Sequence, residues 1–428
     1  MSGGLYLGVD FGTSGCRATV IDESAAVVAQ ARRPLPPPDE SEGRIEQDSA
    51  VWVEGFDALI DVLAQRIDPG RLRRLAIDGT SGTVLLADRE GRACTPALLY
   101  NDSSSRDALV RIRRHCPRPD HITLSSSSAL AKALQLFARD AGDPPSGGLR
   151  VLSQADFLAQ RLCGPQPVSD WHNCLKLGYD LKKREWPQWI RELLPPDALP
   201  EVRPPGEVIA PVSVAVARRY GFAPDLDIVC GSTDANAAFI ASGARRPGEA
   251  VTSLGSTLVI KILNPWPIED LASGVYSHRL GDLWLVGGAS NAGARILSEY
   301  FTVDALERLS SLIDPTRDSG LDYYPLSRPG ERFPIHDPEL QPRLEPRPEN
   351  DTAFLHGLLE GLARIEQAGY NKLVELGCVP PVRILTAGGG AANATWRALR
   401  ERLIGAPVET AEHSDASYGA ALLARGPG

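Results

Sequence analysis

Leu5-Tyr6-Leu7-Gly8-Val9-Asp10-Phe11-Gly12-Thr13-Ser14-Gly15-Cys16-Arg17-Ala18-Thr19-Val20-Ile21 is the stretch whose reading decides the fold. A strand over residues 5–10, a turn of small residues over 11–15 and a second strand over 17–21 make a hairpin. No helix follows the glycine-rich turn, so the chain does not open with a βαβ unit. The turn also lacks the Gly-Lys-Ser/Thr of a Walker A loop and the GxGxxG of a dinucleotide fingerprint. Small residues let backbone N–H groups come close to phosphate oxygens, and Thr or Ser hydroxyls add donors. An Asp at a strand end is also a hard oxygen ligand suited to Mg²⁺ through water. A plain structural turn explains the same residues, and the local sequence leaves both readings open.

Outward from the hairpin, prolines at 34 and 36–38 mark a loop. Asp48 or Ser49 then caps a helix that carries Trp52, Phe56, Leu59, Ile60 and Leu63 on one face. Leu72 to Asp78 reads as a buried strand, followed by the turn Gly79-Thr80-Ser81-Gly82-Thr83 and a strand over 84–87. Helices are expected near 127–139, 153–162 and 211–220, and a short strand over 227–230. The chain then begins again: a strand over 249–254, a Gly255-Ser256 turn and a strand over 257–263 form a second hairpin. This is a weak internal repeat. Residues 325–350, rich in Pro and Arg, read as a long surface excursion. A strong helix follows, with Phe354, Leu355, Leu358, Leu359, Leu362 and Ile365 in one stripe. A buried strand over 382–386 and a last helix over 416–424 complete the pattern.

A length of 428 residues fits two domains. Composition is that of a globular protein, 43% apolar and 23% charged. The net charge of −9 argues against nucleic acid as a partner. No apolar stretch is long enough to span a membrane, and the first residues carry no secretory signal pattern. The seven Cys are scattered without a CxxC pair; they read as reduced thiols in a cytosolic protein, not as a zinc site.

Three further turns carry chemistry. In Gly231-Ser232-Thr233-Asp234-Ala235-Asn236, a strand ends and a helix starts at Asp234. Capping that helix is a common duty of Asp; accepting a proton from an attacking hydroxyl is the alternative. Thr252-Ser253-Leu254-Gly255-Ser256-Thr257 is either a second phosphate-binding turn or a plain hairpin. Ala387-Gly388-Gly389-Gly390-Ala391-Ala392-Asn393 holds more glycine than a strand-to-helix turn needs, which favours a ligand against the backbone and the helix N-terminus. Asn393 and Trp396, three apart, then face that ligand together. Ser81, Asn101, Asp102, His172 and Asn173 are polar candidates for a sugar pocket.

In this order, the motifs resemble the FGGY family of carbohydrate kinases, of the actin/Hsp70/hexokinase-like (ribonuclease H-like) fold group, from Leu5 to Ala424. Three segments, running from Ile77 to Leu86, Gly287 to Asn291 and Ser319 to Pro325, are similar to the short D-ribulose-kinase branch of cyanobacteria and plants, often labelled xylulose kinase-like. The resemblance implies an α/β fold of two domains with a cleft between them. Residues 1–244 would bind the sugar and carry the first phosphate loop, and residues 245–428 would bind ATP. It implies an ATP-dependent kinase of a ketopentose, D-ribulose giving D-ribulose 5-phosphate. D-Xylulose, another polyol, or a weakly active sugar or nucleotide sensor are the alternatives.

Residue by residue, the resemblance makes Asp234 the catalytic base and places Asp10, Ser81 and Asp234 on the sugar. Asp10 and Asp234 would hold Mg²⁺. Gly12 and Thr13 would meet the phosphates, as would Gly255, Ser256 and Thr257. Gly389, Gly390, Asn393 and Trp396 would hold the adenosine. The implied partner is a small sugar, with neither nucleic acid nor membrane, in a cytoplasmic monomer or homodimer. The chain departs from longer relatives at Leu98-Leu99-Tyr100-Asn101-Asp102-Ser103, where they carry a Trp and an Asp-x-Arg. It departs again at Lys132-Ala133-Leu134-Gln135, where they carry a Lys-x-x-Trp-like element. Both departures bear on the sugar and leave ATP handling intact.

Overall fold

The opening hairpin is present: β1 (Leu5–Phe11) pairs antiparallel with β2 (Gly15–Ile21), Asp10 opposite Arg17. The computed structural model describes residues 3–139 and 148–426. It divides into two units, Met1–Ala241 with Asp415–Gly428, and Ser242–Ser414.

In the first unit β1 and β2 continue into β3 (Val27–Pro34) as an antiparallel meander. On the other side of β1 lies β4 (Leu72–Gly79) in parallel, then β6 (Asp227–Thr233) in parallel, with β5 (Val208–Pro211) at the edge. The central strands are buried on both faces, so they read as continuous apolar runs. Helix α1 (Ser49–Ala64) starts at Asp48, whose carboxylate accepts the Ala50 N–H. It buries Trp52, Phe56, Leu59, Ile60 and Leu63, the stripe expected from sequence. The helices α2 (Ala129–Arg139), α3 (Gln154–Cys163), α4 (Trp171–Leu175) and α5 (Asp234–Ala241) follow. A four-stranded sheet of Glu46–Gln47, Ala97–Leu98, Val84–Ala87 and Arg150–Ser153 packs beside α2.

In the second unit β7 (Glu249–Leu254), β8 (Leu258–Asn264) and β10 (Leu283–Ser290) repeat the antiparallel meander, with β9 (Tyr276–Leu280) at the edge. Two parallel strands, β11 (Arg383–Ala387) and β12 (Val408–Thr410), follow on the other side of β7. Helix α6 (Asp351–Glu375) buries its predicted stripe, and α7 (Ala394–Ile404) packs against it.

One expectation is corrected, and the compact units divide the chain differently from the expected domains. The division placed between residues 244 and 245 assigned the whole C-terminal part to the second unit. The break falls at Ala241/Ser242, and the C-terminal helix (Ala416–Arg425) belongs to the first unit. The cause is steric: a Cβ on Gly8 of β1 would lie 2.1 Å from the Ala421 nitrogen, and one on Gly419 would lie 1.8 Å from the Ala237 carbonyl oxygen. Only glycine permits backbones this close. The stretch 325–350 contains no helix or strand, but it is not all surface. Leu326, Glu331 and Phe333 are buried, and the Phe333 ring fills the space over Gly288 and Gly369.

Candidate functional site

Parallel pairing sets the chemistry of the first unit. Asp10 at the end of β1 is in register with Asp78 at the end of β4, and Asp78 is in register with Ser232 of β6. The strand ends thus gather Asp10, Asp78 and the Ser232–Asp234 turn. A bulge in β6 between Val229 and Ser232 re-aims the strand just before Asp234. Gly231 makes this possible: a Cβ there would sit 1.7 Å from the Ile77 carbonyl oxygen. Asp234 is the first residue of α5, is half-buried, and its Oδ1 accepts the Ala235 N–H at 2.6 Å.

The electrostatics are those of acids drawn out of water. Asp10 is 5% exposed, and burial pushes its carboxyl up to about 6; the adjoining Asp78 carboxyl works against that, and the charge of Asp234 adds to it. Asp78 is fully buried, and burial with the adjoining Asp10 drives its carboxyl well above the ordinary range. Among the described residues neither Asp78 oxygen has a hydrogen-bond partner. Both carboxyls are therefore pushed upward, and burial is the main cause for each. Arg17 lies 3.7 Å from Asp10 and 3.6 Å from Asp415, but it is 50% exposed and offsets little of this charge.

Behind the strand ends is a buried polar frame. Asp170 caps α4 by accepting the His172 and Asn173 N–H groups. Burial, then the neighbouring Asp156, pushes its carboxyl up to about 7. His172 Nδ1 meets Ser232 Oγ at 2.7 Å, and Asn173 Nδ2 donates to Asp170 Oδ2 at 2.6 Å and to the Ser232 carbonyl at 3.2 Å. His172 and Asn173 therefore brace Ser232 from inside. Asp102 is also buried, accepting the Ile45 N–H and the Ser104 N–H and hydroxyl. Of the polar candidates only Ser81 and Asn101 are at all exposed.

The turns differ in what they leave open. Gly12 N–H closes its own turn onto the Gly15 carbonyl at 3.0 Å. Thr13, half-buried, has no hydrogen-bond partner among the described residues. In the second unit Gly255 N–H closes onto the Thr257 carbonyl at 3.2 Å and Ala294 N–H is held by the Gly255 carbonyl at 2.8 Å, while Ser256 is exposed.

The triple-glycine turn separates into three roles. Gly388 has φ +86°, and a Cβ would lie 2.8 Å from the Leu254 carbonyl oxygen. A Cβ on Gly390 would meet the Trp396 ring at 2.7 Å. Around Gly389 there is open space. Trp396 does not face a ligand as the spacing suggested: it is 1% exposed, because Trp396, Leu399 and Arg400 form the inward stripe of α7. The Asn393 side chain is committed too, capping α7 through the Trp396 N–H and donating to Ser310 Oγ at 2.9 Å.

Asp78 is the group that sequence reasoning missed. Its signal was present: an acid ending a buried strand, as Asp10 ends β1.

A hard divalent cation suits the strand ends, which hold several carboxyls and one half-exposed guanidinium. Among the described residues no three metal-binding side chains cluster. Mg²⁺ takes one or two carboxylates and completes its shell with water and phosphate.

Residues 5–241 match the N-terminal domain of the FGGY family of carbohydrate kinases, and residues 250–425 match its C-terminal domain. The chain belongs to this family and is an ATP-dependent sugar kinase. It is 24% identical over 437 residues to the xylulose kinase of Escherichia coli K12, covering 98% of this chain and 90% of the relative. It is also 24% identical to the glycerol kinase of Gloeobacter violaceus, covering 99% and 88%. Among solved structures, a xylulose kinase from Rhodospirillum rubrum superposes with a TM-score of 0.84 at 21% identity, covering 98% of this chain and 89% of that one. Plasmodium falciparum glycerol kinase with ADP gives 0.85 at 16% identity, covering 99% and 89%. The two-domain α/β sugar-kinase fold is thereby shared. Among the described residues no helix is long and apolar enough to cross a membrane.

Proposed function

We propose that this kinase phosphorylates a ketopentose, D-ribulose to D-ribulose 5-phosphate, with D-xylulose as the competing substrate. The segments around Ile77–Leu86, Gly287–Asn291 and Ser319–Pro325, and the departures at Leu98–Ser103 and Lys132–Gln135, support the D-ribulose branch. The relatives named as xylulose kinases support D-xylulose. The protein acts in the cytoplasm as a monomer or homodimer.

The observation that carries the mechanism is Asp234, half-buried where the bulged end of β6 meets α5 and within electrostatic reach of Asp10. Asp234 takes the proton of the sugar hydroxyl as its oxygen bonds to the γ-phosphorus of ATP. The bond from that phosphorus to the bridging oxygen breaks, and ADP leaves with the electron pair. Ser81 holds a sugar hydroxyl. Thr13 and the Gly255–Thr257 turn donate to phosphate oxygens, and the backbone at Gly389 receives the adenosine. Asp10, with Asp234, would hold Mg²⁺, which neutralises phosphate charge when bound.

Asp234→Ala is expected to lower kcat by about 10²–10⁴-fold while ATP binding, read by calorimetry, stays within a few-fold. Near-wild-type turnover in this variant would remove Asp234 from the role of base. A pentulose panel with product regiochemistry decides the sugar: a higher kcat/KM for D-xylulose than for D-ribulose would overturn the D-ribulose assignment.

A further inference from the structure

The interior of the first unit holds a lysine that the proposed chemistry does not use. Lys132, on α2, is 0% exposed. Burying an ammonium is costly unless its donors are satisfied. Lys132 forms no ion pair among the described residues. Its Nζ donates instead to two backbone carbonyls, that of Gly82 at 2.9 Å and that of Leu99 at 2.5 Å.

The two carbonyls belong to separate segments. Gly82 follows Ser81 in the turn between β4 and the Val84–Ala87 strand. Leu99 lies in Leu98–Ser103, where the chain departs from its longer relatives, and its carbonyl also accepts the Asp102 N–H at 3.0 Å.

The rest of the Ser81 turn is fixed from outside as well. Thr80 N–H donates to Gln154 Oε1 at 3.0 Å, and the Thr80 and Thr83 hydroxyls meet at 2.5 Å. Lys176 Nζ reaches the Ser81 carbonyl at 3.4 Å. The Ser81 hydroxyl makes no hydrogen bond among the described residues. Everything around that hydroxyl is tied down, and the hydroxyl is left available.

The chemistry of the amine fits a bridge. Burial pulls Lys132 down to about 7, against the pull of Asp102 and with the push of Lys176. A neutral amine keeps two N–H donors, one for each carbonyl. The bridge therefore survives loss of the charge.

We propose that Lys132 is a positioning residue for sugar selection: by tying the Gly82 and Leu99 carbonyls together, it holds the Ser81 hydroxyl where the sugar meets it. This rests on the reading that Ser81 contacts the sugar.

A double-mutant cycle over Ser81→Ala and Lys132→Met, with D-ribulose and D-xylulose as substrates, tests it. Lys132→Met is expected to raise the pentulose KM about tenfold, with the ATP KM within about twofold. Added to Ser81→Ala, it is expected to change the pentulose KM no further. Full additivity of the two effects overturns the proposal alone, as does an equal rise in both KM values. An unchanged pentulose KM in Ser81→Ala by itself overturns the reading of Ser81, and the proposal with it. Should Lys132→Met not fold, the cycle is run with Lys132→Gln, which keeps two N–H donors on a shorter chain, and the same pattern of KM values decides.

Discussion

Single residues at the triple-glycine turn carry unequal loads. A methyl group on Gly390 must displace the Trp396 ring or Leu254, whose Cβ would be 2.8 Å away. Gly390→Ala is therefore expected to cost about 1–3 kcal/mol through overpacking, measured by urea unfolding. Gly389→Ala meets no neighbour within 4 Å, so stability should hold within about 0.5 kcal/mol while the KM for ATP rises. Equal loss of stability in the two variants would contradict this division. Lys132 makes a different kind of residue-scale prediction. Its amine titrates near 7 when folded and near 10.4 when unfolded. Between those values the unfolded chain binds the extra proton, so the term stabilises the fold as pH rises and is lost as pH falls toward 7. Relative to Lys132→Met, the wild type should gain stability from pH 7 to pH 10 with a slope of up to about 1.4 kcal/mol per pH unit. A pH-independent difference in urea unfolding would show that the amine stays charged in the fold.

At the scale of elements, the second unit is joined through one buried ion pair. Arg400 of α7 donates from Nε and Nη2 to both oxygens of Glu366 on α6, at 2.5 and 2.8 Å, and from Nη1 to Thr386 of β11 at 2.7 Å. Thr252 of β7 donates to the same Glu366 at 2.6 Å. Two helices and two strands meet at this node, directly before the Gly255–Thr257 and Gly388–Gly390 turns. Arg400→Met strands a buried carboxylate and should cost about 3–5 kcal/mol, whereas Arg400→Met with Glu366→Leu should recover most of that loss. A double variant no more stable than the single one would mean that the node stabilises through more than its charge balance. The node also marks the limit of what was legible in the sequence. Both hairpins, α1 and the α6 stripe could be read because apolar periodicity and turn chemistry are local. The positions of Asp10 at a strand end and Asp234 at a strand-to-helix turn could be read because each lies beside a turn of small residues. Glu366 and Arg400, 34 positions apart, carry no local mark of being partners. Asp78 also ends a buried strand, but its place beside Asp10 follows from the parallel register of β1 with β4, which no local pattern shows. Trp396 was misread for the complementary reason: spacing shows that it shares a face with Asn393, but not that this face points into the core.

At the scale of the whole molecule, the weak repeat seen in the sequence is a repeat of topology. The order β3-β2-β1-β4-β6 in the first unit has the same directions as β10-β8-β7-β11-β12 in the second: a three-stranded antiparallel meander, then two parallel strands. Both units begin with a hairpin whose turn ends a strand paired in parallel on its far side. The units are not equivalent in chain economy, because the first is completed only when the chain returns at Asp415. The returning helix lies on Gly8 and buries Ala420, Ala421 and Ala424 completely. It ties back through the Thr19–Ser417 hydroxyl pair at 2.8 Å and the Tyr418 hydroxyl on the Ala25 carbonyl at 3.0 Å. Removing residues 415–428 would uncover the face of β1 and β4 on which this helix packs, a loss comparable with the whole stability of a domain, about 5–15 kcal/mol. The second unit ends at Ser414 and loses nothing of its own core. Hydrogen exchange on the truncated protein should therefore show β1, β2 and β4 unprotected while β7, β8 and α6 keep their protection. Retained protection in β1 would show that the first unit folds without its C-terminal helix, and loss in both units would show that neither folds without the other.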